Sequence, residues 1–169
     1  MATKIVYAPK GTGQAYWGAG DKYTFLVTGE ESGGSTFTME ALVPTGGGPP
    51  PHIHHREEEQ FYVLEGECTF RVGDQTIRAS AGDFVHVPRE TIHHFRNEGT
   101  VTARILITYS PAGVEKLFQE VFTPVDDPSA PPPPMTEESI AHFMAVEARY
   151  GLETLRPDDP RLSAGSDQM

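Results

Sequence analysis

The chain has 169 residues, with 13 basic against 24 acidic side chains and a formal net charge of −11. This length fits one domain with additions, and the negative charge argues against nucleic acid and anionic membrane surfaces as partners. With 17 glycines and 15 prolines the chain is rich in turns, and its one cysteine, Cys68, cannot form an intrachain disulfide. We expect a small domain of short strands that is stabilised by packing.

The sequence shows no targeting or membrane segment. The first residues, MATKIVYAPKG, lack the apolar run of a signal peptide. No stretch of about 18 apolar residues is present that could span a bilayer. We therefore expect a cytoplasmic protein with no membrane partner.

Short runs rich in β-branched and aromatic residues follow one another between Tyr23 and Tyr109. Glycine, proline, asparagine and aspartate separate them, a spacing typical of a β-sandwich or barrel. Gly73-Asp74 fits a two-residue hairpin turn because glycine tolerates a positive φ. The predicted strands cover residues 23–28, 36–43, 52–55, 60–64, 67–72, 75–79, 84–87, 93–96 and 102–109.

After the last predicted strand the pattern takes a helical period. Apolar residues recur at i, i+3, i+4 and i+7 from Val114 to Val121, which predicts an amphipathic helix. Ser110 suits its N-cap and Pro111 its first helical position. We expect residues 1–122 to form the β domain together with this helix.

The rest of the chain is predicted to add one helix to that domain. Residues 123–134 form a proline-rich linker, in which consecutive prolines favour an extended segment. Residues 135–155 contain a helix with Thr136 as N-cap, which packs on the barrel or on a partner subunit. Residues 156–169 are polar and rich in proline and glycine, and we expect them to be a disordered tail.

Six of the seven histidines lie between His52 and His94. His52 and His54 stand two apart on an extended segment, so both side chains leave the same face of the sheet. Glu59 shares the parity of the apolar residues that follow it, which points its carboxylate inward. A buried carboxylate is costly unless it meets a cation or a proton.

A second run, GDFVHVPRETIHHFRN, supplies the fourth group. In it, Gly82-Asp83 forms a turn, Pro88 ends a strand and His93 begins the next one. Three imidazoles with one carboxylate suit a first-row divalent metal that keeps open positions for other ligands. We predict one metal site, built by His52, His54, Glu59 and His93.

Residues 46–97 resemble the two motifs of the cupin superfamily. The first motif reads here as Gly46 to Gly48, His52, His54, Glu59 and Gly66. The second reads as Gly82, Pro88, His93 and Asn97. The family usually has glycine two residues after the proline, where this chain has Glu90, so a different backbone shape is expected in that loop.

The resemblance implies an all-β fold, a jelly-roll β-sandwich barrel with C-terminal helices, and a homodimer. Weaker similarity to small bacterial cupins of the quercetin 2,3-dioxygenase type runs from residue 23 to about residue 122. It implies a metal-dependent dioxygenase that acts on a flavonol or a related phenolic enol. In that chemistry Glu59 is the catalytic residue, acting as ligand, base or both. The one divalent metal is Fe, Mn, Ni, Co, Cu or Zn, with its identity left open.

Two other classes of function stay open. The same ligand set serves isomerases and decarboxylases of the superfamily. A cupin without turnover could instead bind a small molecule or a metal. Oxygen consumption with a candidate substrate separates these classes from a dioxygenase.

Residues next to the predicted ligands are interpreted as follows. Glu57 and Glu58 form a solvated acidic loop, although a register error of one residue would exchange their roles with that of Glu59. His55 and His94 have the opposite strand parity to the ligands and face outward.

Two residues of the strand over 84–87 bear on the cavity. Phe84 belongs to the apolar background that could form a pocket. His86 shares its parity, so it either lines the cavity or is a hydrogen-bonded structural histidine.

Overall fold

The structure is a computed structural model that describes residues 3–163. Three α-helices lie in that range, α1 (Gly29–Ser32), α2 (Glu115–Val121) and α3 (Glu137–Val146). Two 3-10 helices cover Glu147–Tyr150 and Pro160–Leu162. The strands are β1 (Ala15–Gly18), β2 (Asp21–Val27), β3 (Phe37–Val43), β4 (His52–His54), β5 (Glu58–Glu65), β6 (Glu67–Val72), β7 (Gln75–Ser80), β8 (Phe84–Val87), β9 (His93–Arg96), β10 (Ala103–Ser110), β11 (Thr123–Pro124) and β12 (Leu152–Thr154).

The strands form two antiparallel sheets. The larger sheet has the order β11-β1-β2-β3-β10-β5-β8, and the smaller one has the order β12-β4-β9-β6-β7. Strands that are distant in sequence are neighbours in both sheets, as in a sandwich built from crossing connections. The predicted all-β sandwich with C-terminal helices is confirmed.

Apolar side chains on the inner faces of the sheets form the core. Alternate residues of β3 and β10 are buried because strand side chains point in turn to opposite faces. The register pairs Ala41 with Ile105 and Met39 with Ile107, so their side chains meet on the same face. The core continues across β5, where Phe61 is buried and Tyr62 is exposed, the parity that the sequence predicts.

Strand β8 reverses the predicted facing of two residues. Phe84 is 59% exposed and His86 is also exposed, whereas Val85 and Val87 are buried. The register explains this, because Phe84 pairs with Tyr62, which points outward, and paired residues project to the same side. The assignment of Phe84 to the pocket is wrong, and His86 lies outside the cavity beside Glu58.

Helix α2 begins later than predicted. Ser110 is still part of β10 and pairs with Glu58, so it cannot act as an N-cap. The Ser110-Pro111 peptide bond is cis, and Val114 occupies the N-cap position. The predicted Ser110 cap and Pro111 helix start are therefore wrong, because the strand pairing extends to Ser110.

The segment after α2 lies against the barrel. Strand β11, at the start of the proline-rich stretch, pairs with β1. The hydroxyl of Thr136 accepts a hydrogen bond from the Ser139 N–H at 3.1 Å, so the predicted N-cap of α3 is confirmed. Strand β12 pairs with β4 and extends the smaller sheet at its edge.

The end of the chain is described only in part. Of the tail expected over 156–169, residues 160–162 form a 3-10 helix, and residues 164–169 lie outside the described range. Within the part that the structure describes, no helix is long and apolar enough to cross a membrane.

Candidate metal centre

Three strands bring the four predicted ligands together. His52 and His54 project from β4, and His93 begins the neighbouring strand β9 directly opposite His52. Glu59 comes from β5 in the other sheet, so the site joins both layers of the sandwich. All four side chains are buried.

The donor atoms converge on one carboxylate oxygen. Glu59 Oε2 lies 2.7 Å from His93 Nε2, 3.4 Å from His54 Nε2 and 3.9 Å from His52 Nε2. One ligand atom from each residue falls within 4.8 Å of all the others. Donors that share one ion at about 2.1 Å stand roughly 3 to 4 Å apart, so this spacing can hold a metal ion.

Backbone carbonyls orient two of the imidazoles. The Nδ1 of His52 is 2.9 Å from the carbonyl oxygen of Pro50, and the Nδ1 of His93 is 2.9 Å from that of Thr91. A carbonyl oxygen only accepts hydrogen bonds, so the proton sits on Nδ1 in both rings. Their Nε2 atoms are thereby aimed at the centre of the site, as is usual for metal-binding histidines.

The third imidazole faces a carboxylate instead. His54 Nδ1 lies 3.5 Å from Oε2 of Glu57, which is only 2% exposed. The interpretation of Glu57 as part of a solvated loop is therefore wrong. Because Glu57 shares the parity of Glu59, it turns inward beside His54, and that parity is the signal that could have found it.

Electrostatics in the site favour a bound cation. Burial raises the pKa of Glu59, but hydrogen bonds from the three imidazoles outweigh it and hold the pKa well below its usual range. Burial and the neighbouring His93 lower the pKa of His52 to about 4. For His54, burial is outweighed by Glu57 and Glu59, which raise the pKa to about 9. A dry, ionised carboxylate needs a cation, a role that protonated His54 fills here and that a first-row divalent metal could fill in its place, since imidazole nitrogens with a carboxylate oxygen suit such an ion.

The loop before His93 keeps an unusual backbone. Glu90 has a φ of 65°, the left-handed conformation that glycine favours. Its N–H donates to the carbonyl of His54 at 2.9 Å, and its carboxylate lies 2.7 Å from Nδ1 of His55. The substitution of glycine by Glu90 thus preserves a glycine-like conformation, which is held by contacts to the ligand strand β4.

The glycine run before β4 is required by close packing. A Cβ on Gly48 would lie 2.1 Å from the carbonyl oxygen of Phe95, and the φ of Gly48 is +124°. Gly46 and Gly47 exchange backbone hydrogen bonds with Asn97. The run therefore lies directly on the end of β9, the strand that carries His93.

A cavity opens onto the predicted ligands. Its volume is about 80 Å³. Among the described residues, no lysine or arginine lines it. The lining consists of Tyr23, Met39, Pro49, Pro50, His52, His54, Glu59, Phe95, Ile107, Tyr109, Phe118, Phe122, Phe143, Leu152 and Thr154.

Aromatic rings from three separate parts of the chain form one wall of this cavity. Phe118 stacks on Phe122 at 4.9 Å between ring centroids, and Phe122 stacks on Tyr23 at 5.5 Å. Phe143 of α3 continues the series at 6.3 Å from Phe122. The sequence did not single out these residues as site residues, because their convergence depends on how the C-terminal segment packs.

The family comparison agrees with the fold and the ligand spacing. The family model described as a cupin domain matches residues 39–109, a range that includes every predicted ligand. Residues 39–109 form a cupin domain. The predicted membership of the cupin superfamily is confirmed.

Two curated relatives match this cupin domain over part of their length. Quercetin 2,3-dioxygenase of Bacillus subtilis is 35% identical over 68 residues, which are 40% of this chain and 19% of the relative. The tetracenomycin polyketide synthase protein TcmJ of Streptomyces glaucescens is 33% identical over 73 residues, 43% of this chain and 49% of the relative. The matches thus span about a fifth and about half of those proteins.

Solved structures agree with the fold. KdgF from Halomonas sp. superposes with a TM-score of 0.59 at 17% identity, covering 68% of this chain and 99% of that one. This likeness shows a shared cupin fold.

Proposed function

We propose that this cupin is a metal-dependent dioxygenase of the quercetinase type, which acts on a flavonol or a related phenolic enol. The observation that carries the proposal is an aromatic cavity without lysine or arginine, which opens onto His52, His54 and Glu59. A pocket of this kind suits a flat, uncharged ring system. The similarity to quercetin 2,3-dioxygenase supports the same class of substrate.

The lining also weighs against the other enzymes considered. Basic side chains commonly bind the carboxylate of an anionic acid or the phosphate of a sugar phosphate. Among the described residues, the only nitrogen side chains of the cavity lining are His52 and His54, which belong to the metal centre. A neutral substrate with an acidic hydroxyl fits this surface better.

The protein supplies binding and proton transfer. Phe118, Phe122 and Phe143 offer ring faces to the substrate and keep water away from it. Glu59 holds its Oε2 toward the imidazoles, and in this proposal its carboxylate accepts the proton of the substrate hydroxyl. A divalent metal on His52, His54, Glu59 and His93 would supply the positive charge that stabilises the resulting oxyanion.

Oxygen uptake tests this proposal. Protein loaded with Fe, Mn, Ni, Co or Cu should consume O₂ with at least one member of a panel of flavonols and related phenolic enols. The double variant His52→Ala, His54→Ala should bind no metal and should consume no O₂. If no metal form consumes O₂ with any flavonol or related phenolic enol, the dioxygenase proposal is wrong, and a binding cupin without turnover or another cupin enzyme, an isomerase or decarboxylase, takes its place.

Homodimer formation and a cytoplasmic location stay predictions. Light scattering on the protein as it elutes from a size-exclusion column would give its molar mass and therefore its oligomeric state. A mass of one chain would contradict the dimer.

A further inference from the structure

The third imidazole of the metal centre is held differently from the other two. His52 and His93 place Nδ1 at 2.9 Å from a backbone carbonyl oxygen. His54 Nδ1 has no hydrogen-bond partner within the described residues, and it faces Glu57 Oε2 at 3.5 Å. Of the three imidazoles, only that of His54 faces a side chain rather than a backbone carbonyl at Nδ1 within the described residues.

Glu57 is equally without another partner. Its Oε2 is buried and makes no hydrogen bond in the described part of the chain, and its ion pair there is with His54. A carboxylate that is 2% exposed is costly unless a donor faces it. A small side-chain rotation would bring the two atoms to hydrogen-bonding distance and satisfy both.

The surroundings keep this carboxylate in place. A Cβ on Gly113 would approach Oε1 of Glu57 to 3.4 Å, so the loop before α2 packs closely over it. Glu57 also sits three residues after His54 and two before Glu59, in the short connection between β4 and β5. One stretch of six residues thus supplies two ligands and the carboxylate behind one of them.

We propose that Glu57 is a positioning residue of the metal centre. It accepts the Nδ1–H of His54, which fixes the ring orientation and leaves the Nε2 lone pair directed at the metal. This inference rests on the proposed metal site but not on the dioxygenase reaction. Carboxylates behind metal-bound imidazoles orient the ring and make it a stronger donor.

Metal affinity tests the proposal without any measurement of turnover. Co²⁺ is titrated into metal-free protein in competition with a chelating dye, and the visible Co²⁺ spectrum reports the ligand geometry. The variants are Glu57→Ala and Glu57→Gln, with Glu58→Gln as the matched control. Glu58 is the next residue and lies half-exposed, and its carboxylate pairs with His86 and Arg89.

We expect Glu57→Ala to weaken Co²⁺ binding by roughly 10- to 100-fold, the usual effect of removing such a partner. Glu57→Gln should lose less Co²⁺ affinity, because its amide oxygen still accepts the Nδ1–H. Glu58→Gln should bind Co²⁺ as tightly as wild type does. Unchanged affinity in Glu57→Ala, or an equal loss in Glu58→Gln, would overturn the proposal. If circular dichroism shows that Glu57→Ala is unfolded, Glu57→Met decides, because it keeps the side-chain length and has no oxygen acceptor: weaker Co²⁺ binding supports the role and wild-type binding overturns it.

A tautomer measurement gives an independent answer. Long-range ¹H–¹⁵N spectra of Zn²⁺-loaded wild type should show the His54 proton on Nδ1. A proton on Nε2 would overturn the proposal. Wild-type protein that binds neither Co²⁺ nor Zn²⁺ would overturn the metal centre itself, whereas wild-type binding with an unaffected Glu57→Ala variant overturns only the role of Glu57.

Discussion

Asp21 is a buried carboxyl whose ionisation should set the pH dependence of stability. It has no exposed surface, and its Oδ2 accepts a hydrogen bond from the hydroxyl of Tyr23 at 3.1 Å. Burial raises its pKa from 3.8 to about 7, although hydrogen bonds from Tyr23 and the Gly48 N–H act in the opposite direction. The folded protein therefore holds this proton more tightly than the unfolded chain does.

The sign and size of the effect follow from that difference. A carboxyl with a raised pKa stabilises the fold fully below about pH 4, and this contribution is lost as the pH rises through about 7. At about 1.4 kcal/mol for each pKa unit, the loss amounts to about 4 kcal/mol above pH 7. Between pH 5 and pH 8, roughly 2 to 3 kcal/mol of it should appear.

The variant Asp21→Asn removes the ionisation with little change of shape. Urea unfolding of variant and wild type is compared at pH 5 and pH 8, so that titrations common to both proteins cancel. The free energy of unfolding of Asp21→Asn should rise relative to that of wild type as the pH rises. Asp74→Asn, at the exposed Gly73-Asp74 hairpin, serves as the control. A difference between Asp21→Asn and wild type that is equal at both pH values would refute the reasoning.

Three further predictions concern the site and its frame. His93→Ala should lose most of the metal bound by wild type, because it removes the imidazole nearest to Glu59 Oε2; wild-type metal content in elemental analysis would contradict this. Gly48→Ala should lower the free energy of unfolding by about 2 kcal/mol or more, since its Cβ would lie 2.1 Å from the carbonyl oxygen of Phe95. A urea midpoint equal to that of wild type would contradict this prediction. Phe143→Ala should raise KM for a flavonol and leave kcat nearly unchanged, because the ring only binds; a fall in kcat alone would not fit.

The convergence of the four candidate ligands could be predicted because it depends on local rules. His52 and His54 share a face by strand parity, and Glu59 follows the same rule in the next strand. The strands from β2 to β10 were also found, since turns and β-rich runs mark them directly in the sequence. These features need no knowledge of which strands become neighbours.

Features that depend on distant contacts could not be predicted in this way. The prediction that Phe84 helps to form the pocket is wrong because parity gives two faces without saying which is buried, and only the pairing with Tyr62 decides it. The two-residue strand β11 and the three-residue strand β12 exist because β1 and β4 lie beside them. The aromatic wall likewise depends on Phe143, which reaches the cavity through the fold of the C-terminal segment.

Strand β12 ties access to the cavity to retention of the ion. It pairs with β4 so that Leu152 stands opposite His54 and Thr154 opposite His52, and both partners of the ligands also line the cavity. Moving β12 aside to admit a large molecule would break its backbone pairing with β4, the strand that carries His52 and His54. If an ion occupies the site and this segment opens, the two equilibria are linked: the ion would raise the free energy of opening, and opening would lower the affinity for the ion by the same factor.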